Sequence, residues 1–159
     1  MKILIISDTH RDLSTYFEVI DREAPVDAVI HCGDICGDDL VLENTAGAPV
    51  YIVAGNCDYD MSLSKEITPV LGDVKFFVTH GHHFGVNAGT NLLKSFAIDA
   101  GAKVVCYGHT HIPEVKKEDG ILIINPGSLS KPRQSNRLPS YAILTIDENG
   151  KIDAGIKYC

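Results

Sequence analysis

Two histidines, His109 and His111, stand two apart in the run Tyr107-Gly108-His109-Thr110-His111, and Asp8 and His10 repeat that spacing near the start of the chain. Imidazole and carboxylate groups are the usual ligands of borderline divalent cations, and residues two apart on an extended backbone project to the same side. If the chain stays extended past Val104–Cys106, both imidazoles face one site, and Gly108 leaves room for the backbone to approach a ligand. Asp34, Asn56 and His80 also follow short apolar runs. Together Asp8, His10, Asp34, Asn56, His80, His109 and His111 form a mixed oxygen and nitrogen set. Such a set suits Mn²⁺, Fe or Zn²⁺ better than a thiolate zinc site or an all-oxygen calcium site. Seven donors exceed one tetrahedral ion and suit two ions sharing a carboxylate. Two such ions could clamp a phosphoryl group and bridge a hydroxide for in-line attack. Their four positive charges outweigh two aspartates and a hydroxide, so an anionic ester is attracted to an otherwise acidic chain.

The elements that must position these groups are short. Lys2–Ile6 is an apolar run of the kind found inside a sheet covered on both faces. Residues 11–22 follow at helical spacing through Leu13, Tyr16, Phe17 and Ile20, and Pro25 ends them. Residues 27–30 and 50–53 read as further strands, with a short helix at 39–43 between them. Alternation at this pitch predicts a parallel sheet, whose ligands lie beyond the carboxyl ends of its strands. Asp8, His10, Asp34 and Asn56 all fall there. Residues 66–70 and 74–78 flank Leu71-Gly72-Asp73 as a hairpin, and 87–100 reads as an amphipathic helix stopped by Gly101. Two more hairpins surround Glu118-Asp119-Gly120 and Asp147-Glu148-Asn149-Gly150, separated by the turn-rich loop 125–133. The expected fold is therefore one domain over 1–159, with two packed sheets, helices outside them, and the site along one edge.

Composition narrows the function without naming it. The chain has 159 residues, 45% of them hydrophobic and 22% charged, as expected of a globular protein with a real core. Its net charge of −7 argues against nucleic acid as a stable partner. No apolar run is long enough for a membrane span or a signal-peptide core. The five cysteines are odd in number and lack a CxxC pair, which predicts reduced thiols and a cytoplasmic location.

In order along the chain, the segments are Asp8-Thr9-His10, Gly33-Asp34, Gly55-Asn56, His80-Gly81-His82 and Gly108-His109-Thr110-His111. This succession resembles the calcineurin-like metallophosphoesterases. The short length, the run Gly55-Asn56-Cys57-Asp58 and the loop 125–133 resemble the small YfcE-type phosphodiesterase branch. The resemblance implies an αββα sandwich of two mixed sheets. It also implies two divalent ions, Mn²⁺ as first choice with Ni²⁺, Fe²⁺ or Zn²⁺ as alternatives, and a small or nucleotide-like phosphodiester as substrate. By the same pattern Asp8, His10 and His111 hold one ion, Asn56, His80 and His109 hold the other, and Asp34 bridges them. Asp34, Asn56 and His109 are taken as catalytic, and Asn56, Cys57 and Arg133 as substrate-binding. Many family members carry a histidine where this chain has Cys57, so help to the leaving group is expected to be poor. Asp58 is expected to orient a neighbouring ligand, His31 to be a packing or hydrogen-bonding residue, and His82 to support the second ion's surroundings. The loop with Asn125 and Ser128 either borders the site or merely turns. The competing expectation is a non-catalytic scaffold resembling the small retromer subunit, although all seven donors are retained here. A homo-oligomer is compatible with either reading.

Overall fold

The apolar runs pair into two sheets, described by a computed structural model over residues 1–59 and 62–159. In the first, β1 (Lys2–Ile6), β2 (Ala28–His31) and β3 (Val50–Ile52) run parallel, and the hairpin β10 (Ser140–Ile146) and β11 (Ile152–Tyr158) adds antiparallel to β1. The order is β11-β10-β1-β2-β3. The second sheet contains β4 (Glu66–Ile67), β6 (Val74–Thr79), β7 (Val104–Cys106), β9 (Ile121–Asn125) and β8 (Glu114–Glu118) in that order, with β5 (Val70–Leu71) paired to β6.

Strand alternation explains how the sheets stack. Ile3 and Ile5 of β1 point into a core shared with Phe76, Val78, Val104 and Ile124 of the other sheet. Leu4 and Ile6 point the opposite way, onto Tyr16, Val19 and Ile20 of α1 (Ser14–Glu23) and Leu42 of α2 (Asp39–Thr45). Phe77, Val105 and Ile123 meet Leu93 and Ala97 of α3 (Asn91–Asp99) on the far side. The layers are thus helix, sheet, sheet, helix, with both sheets mixed, as the sequence suggests. No helix among the described residues is long and apolar enough to cross a membrane.

Two helices are shorter than their sequence periodicity implies, whereas the one expected at 39–43 extends to Thr45. The helix expected at 11–22 begins only at Ser14, because residues 11–13 turn away from the end of β1 and Arg11 takes φ 66°. Its buried stripe is Tyr16, Val19, Ile20 and Glu23, which leaves Phe17 exposed. The helix expected at 87–100 starts at Asn91. Leu93 and Ala97, four apart, carry its packing, while Leu92 and Phe96 stay about half exposed. The strand expected at 66–70 is split in two around Pro69, which has no N–H to give to a ladder.

Candidate metal centre

Five loops at the carboxyl ends of β1, β2, β3, β6 and β7 meet at one edge of the sandwich. Hydrogen bonds from Asp8 N to Gly33 O (3.0 Å), His10 N to Asp34 O (2.9 Å) and Gly108 N to His80 O (3.1 Å) tie them together. The backbone there is not extended. Asp8, His10, Asp34, His109 and His111 take φ between 46° and 70°, in the left-handed region that residues other than glycine seldom occupy. This corrects the expectation of an extended backbone at the site, although Asp8 and His10, two apart, still meet in one donor set. His109 and His111 diverge instead, each toward a different partner set. Gly108 does not face a ligand either; a Cβ there would overlap the Ser7 hydroxyl and lie 2.8 Å from Asp8 Oδ2. Glycine is needed for the close approach of two strand ends.

The first set is Asp8, His10, Asp34 and His111, whose ligand atoms all lie within 4.8 Å of one another. Asp8 Oδ1 is 3.0 Å from His111 Nε2 and 3.8 Å from His10 Nε2, yet it is buried with no hydrogen-bond partner. His111 Nδ1 donates to the Lys131 carbonyl at 2.6 Å, which fixes the tautomer and turns the Nε2 lone pair inward. That lone pair stands 3.4 Å from His10 Nε2. Burial opposes ionisation of Asp8, but His111, His80 and the Ser7 hydroxyl outweigh it and hold its carboxyl below the ordinary value. Burial lowers His10, helped by the charge of Lys131. An ionised carboxylate beside neutral imidazoles is the state a divalent cation requires.

The second set is built around an amide. Asn56 Oδ1 lies 3.1 Å from His80 Nε2 and 2.9 Å from His109 Nδ1. His80 Nδ1 donates to the Cys32 carbonyl at 2.7 Å, again leaving Nε2 free to face the site. His109 reaches Asn87 through Nε2 at 3.1 Å, and burial together with His80 lowers its pKa. Asp34 stands between the sets: Oδ2 is 3.7 Å from His10 Nε2 and Oδ1 is 3.5 Å from His80 Nε2. The unpartnered Asp8 oxygen, the converging Nε2 lone pairs and the mixed donor types all fit divalent cations.

The calcineurin-like phosphoesterase superfamily domain matches residues 1–149. This chain belongs to that superfamily. The probable metallophosphoesterase YsnB of Bacillus subtilis is 40% identical over 94% of this chain and 86% of its own length. Phosphodiesterase YfcE of Escherichia coli is 30% identical over 92% of this chain and 89% of its own. Among solved structures, a predicted phosphoesterase from Streptococcus pneumoniae superposes with a TM-score of 0.81 at 31% identity, covering 99% of this chain and 97% of its own. Vps29 from Entamoeba histolytica, complexed with zinc, has the same TM-score of 0.81 at 22% identity over 99% of both chains. The latter likeness is one of fold.

The phosphoesterase holds its donors with neighbouring side chains. Asp58 accepts from the amides of Asp34 (2.7 Å), Cys36 (2.6 Å) and Gly55 (2.7 Å), so it orients Asp34 through the backbone. Ser128 and Ser130 donate to the Asp8 carbonyl at 2.8 and 3.0 Å. Asn125 Nδ2 donates to the Gly108 carbonyl at 2.9 Å. The loop 125–133 therefore borders the site and braces two of its strand ends. Gly55 packs on Asp34 so closely that a Cβ would overlap its carboxylate and amide.

Other residues singled out from the sequence fall as follows. His31 is buried, accepting from Gly33 N at 3.2 Å and facing Thr9 Oγ1 at 3.1 Å, and burial lowers its pKa to about 4. His82 stacks on His83 and lies 5.3 Å, ring to ring, from His80. Cys57 N donates to Asp34 Oδ1 at 2.8 Å, and burial together with Asp34 raises the Cys57 thiol to about 11. Cys57 lines a cleft of about 530 Å³ with His10, Arg11 and Lys131. Arg133 lines a separate cleft of about 640 Å³ with Asn87 and Thr110. Sequence reading missed Asn87, Arg11 and Lys131, because only tertiary contacts bring them to the centre. Lys131, in the loop already flagged as turn-rich, was the one with a signal to follow.

Proposed function

We propose that this chain is a single-domain, cytoplasmic, metal-dependent phosphodiesterase acting on a small or nucleotide-like phosphodiester. One observation carries the reading: Asp34 turns its two carboxylate oxygens toward two different donor sets. Asp8, His10 and His111 would hold one divalent ion and Asn56, His80 and His109 the other, with Asp34 shared and Mn²⁺ the first choice. The ions would polarise the phosphoryl oxygens and activate a water as nucleophile at neutral pH. The residues' own part is orientation. His80 and His111 are locked by backbone carbonyls, and Asp34 is locked by the loop that Asp58 gathers. Exposed Asn56 and half-buried His109, at the mouth, reach the substrate, and Cys57 lines the cleft beside them. A thiol near 11 gives little of its proton to a departing alkoxide, so turnover depends on the leaving group. A diester rather than a monoester is supported by the relative named a phosphodiesterase.

The test is hydrolysis of bis-p-nitrophenyl phosphate by metal-stripped protein reloaded with Mn²⁺, Ni²⁺, Mg²⁺ or Zn²⁺, with p-nitrophenyl phosphate alongside. Metal-dependent diester turnover, lost in Asp34→Asn, is the expected outcome. Protein that binds no metal would move the assignment to a scaffold.

A further inference from the structure

The cleft that contains Cys57 brings two cations, Arg11 and Lys131, alongside the donor sets. His10 and Cys57 form its inner wall, Arg11 and Lys131 line it, and Tyr59 and Leu63 add an aromatic and an aliphatic surface. Tyr59 is 92% exposed, free to stack on a planar group. Among the described residues Arg11 and Lys131 take no carboxylate, as is true of most lysines and arginines here, but both line the cleft that holds His10. Arg11 is nonetheless fixed, its Nε donating to the Cys36 carbonyl at 2.8 Å. The Lys131 backbone amide donates to Ser128 Oγ at 2.8 Å, which anchors the residue in the loop beside the cleft. Two acids line the same cleft, Asp39 and Asp58, the second turned to the amides of Asp34, Cys36 and Gly55. Two unpaired cations held in one cleft of an acidic chain match a second anionic group on the ligand.

We propose that Arg11 and Lys131 bind a further phosphate on one arm of the substrate, so that the preferred diester is a nucleotide-like one carrying a second phosphate group. This rests on the phosphodiesterase reading above. Arg11 and Lys131 are specificity residues here; they take no part in bond breaking.

The Mn²⁺-loaded enzyme is given thymidylyl-thymidine without a terminal phosphate, with a 5′-phosphate, and with a 3′-phosphate, and cleavage of the internal diester is followed chromatographically. One phosphorylated form is expected to exceed the plain dinucleotide in kcat/KM by about tenfold, mostly through KM. Lys131→Met brings that ratio close to one, and Arg11→Lys, which keeps charge but loses the fork, lowers it in part. Equal kcat/KM for all three in the wild type overturns the proposal, as does a variant that slows the plain and phosphorylated forms by the same factor. Calorimetry with thymidine 3′,5′-bisphosphate against thymidine 5′-phosphate supplies a reading without turnover. If no diester is cleaved, tighter binding of the bisphosphate that Lys131→Met removes still upholds the cleft assignment while the phosphodiesterase reading falls. Equal binding of the two overturns it.

Discussion

The two donor sets of the centre differ in charge and in depth. Asp8 and His111 are buried, and the first set owns a full carboxylate whose inward oxygen has no other partner. The second set is organised by the neutral oxygen of the exposed Asn56, with His109 half-buried and His80 buried beneath them. Asp34 is common to both. A buried carboxylate binds a divalent cation far more strongly than an amide oxygen does, because the attraction is between full charges at low local dielectric. The lesson is that a shared ligand need not make equal halves. On the proposed function, the first half would retain an ion and the second would exchange ligands with a substrate.

Breaking the shared element should do most damage. Asp34→Asn is expected to lower bis-p-nitrophenyl phosphate turnover by about 10³-fold and to reduce bound metal, measured by elemental analysis. The halves are then separated by a calorimetric metal titration. Asp8→Asn removes the tighter binding step and about 10²-fold of activity, whereas His109→Ala removes only the weaker step and costs about tenfold. If both variants lose the same step, the two-halves description is wrong. Cys57→His sharpens the assignment of the open half to substrate. Turnover of diesters with poor leaving groups should rise by about 10²-fold, with little change for p-nitrophenyl esters. Ser128→Ala removes one of the two hydroxyls on the Asp8 carbonyl and the acceptor of the Ser130 and Lys131 amides. Its expected effect is about tenfold weaker metal binding in the tight step, with about 1 kcal/mol lost from stability in urea denaturation.

Glu23 is the control, remote from both halves. Burial would raise its carboxyl, but hydrogen bonds from Lys157, Lys2 and Tyr141 hold it at about 2, against an ordinary 4.5. A carboxyl depressed on folding stabilises above the unfolded value, and that contribution disappears as pH falls through the folded one. Glu23→Gln is expected to cost about 2 kcal/mol at pH 7 and to leave metal binding unchanged. The difference from wild type should shrink between about pH 5 and pH 2, read from denaturation midpoints.

Much of this was legible in the sequence because the donors are chemically distinctive and each follows an apolar run. Val104–Cys106 followed by His109 and His111 announces a strand end with ligands, and the hairpin turns announce the second sheet. The backbone at the ligands was not legible. Glycine advertises a positive φ, whereas Asp8, His10 and His111 adopt one because neighbouring loops hold them there. Divergence of His109 from His111 follows from that backbone, so it was hidden too. The helix limits failed for a related reason: apolar residues at helical spacing, such as Phe17 and Phe96, can sit on the open side. Nothing in the sequence places Arg11 beside Lys131, since a distance of over a hundred residues is closed only by the fold.

The position of β1 has a bearing on how the molecule is made. Its one neighbour is β2, soon to follow, but its other is β10, with Lys2 opposite Thr145. A ribosome adding roughly 5–20 residues per second leaves β1 half-paired for roughly six to twenty-three seconds. Throughout that interval the loop with Asp8 and His10 also lacks Ser128 and Ser130. Contacts this distant in sequence form late and slowly. The earliest candidate ligands to be synthesised are the last to be secured, and an incomplete chain exposes a naked apolar strand to whatever surrounds it.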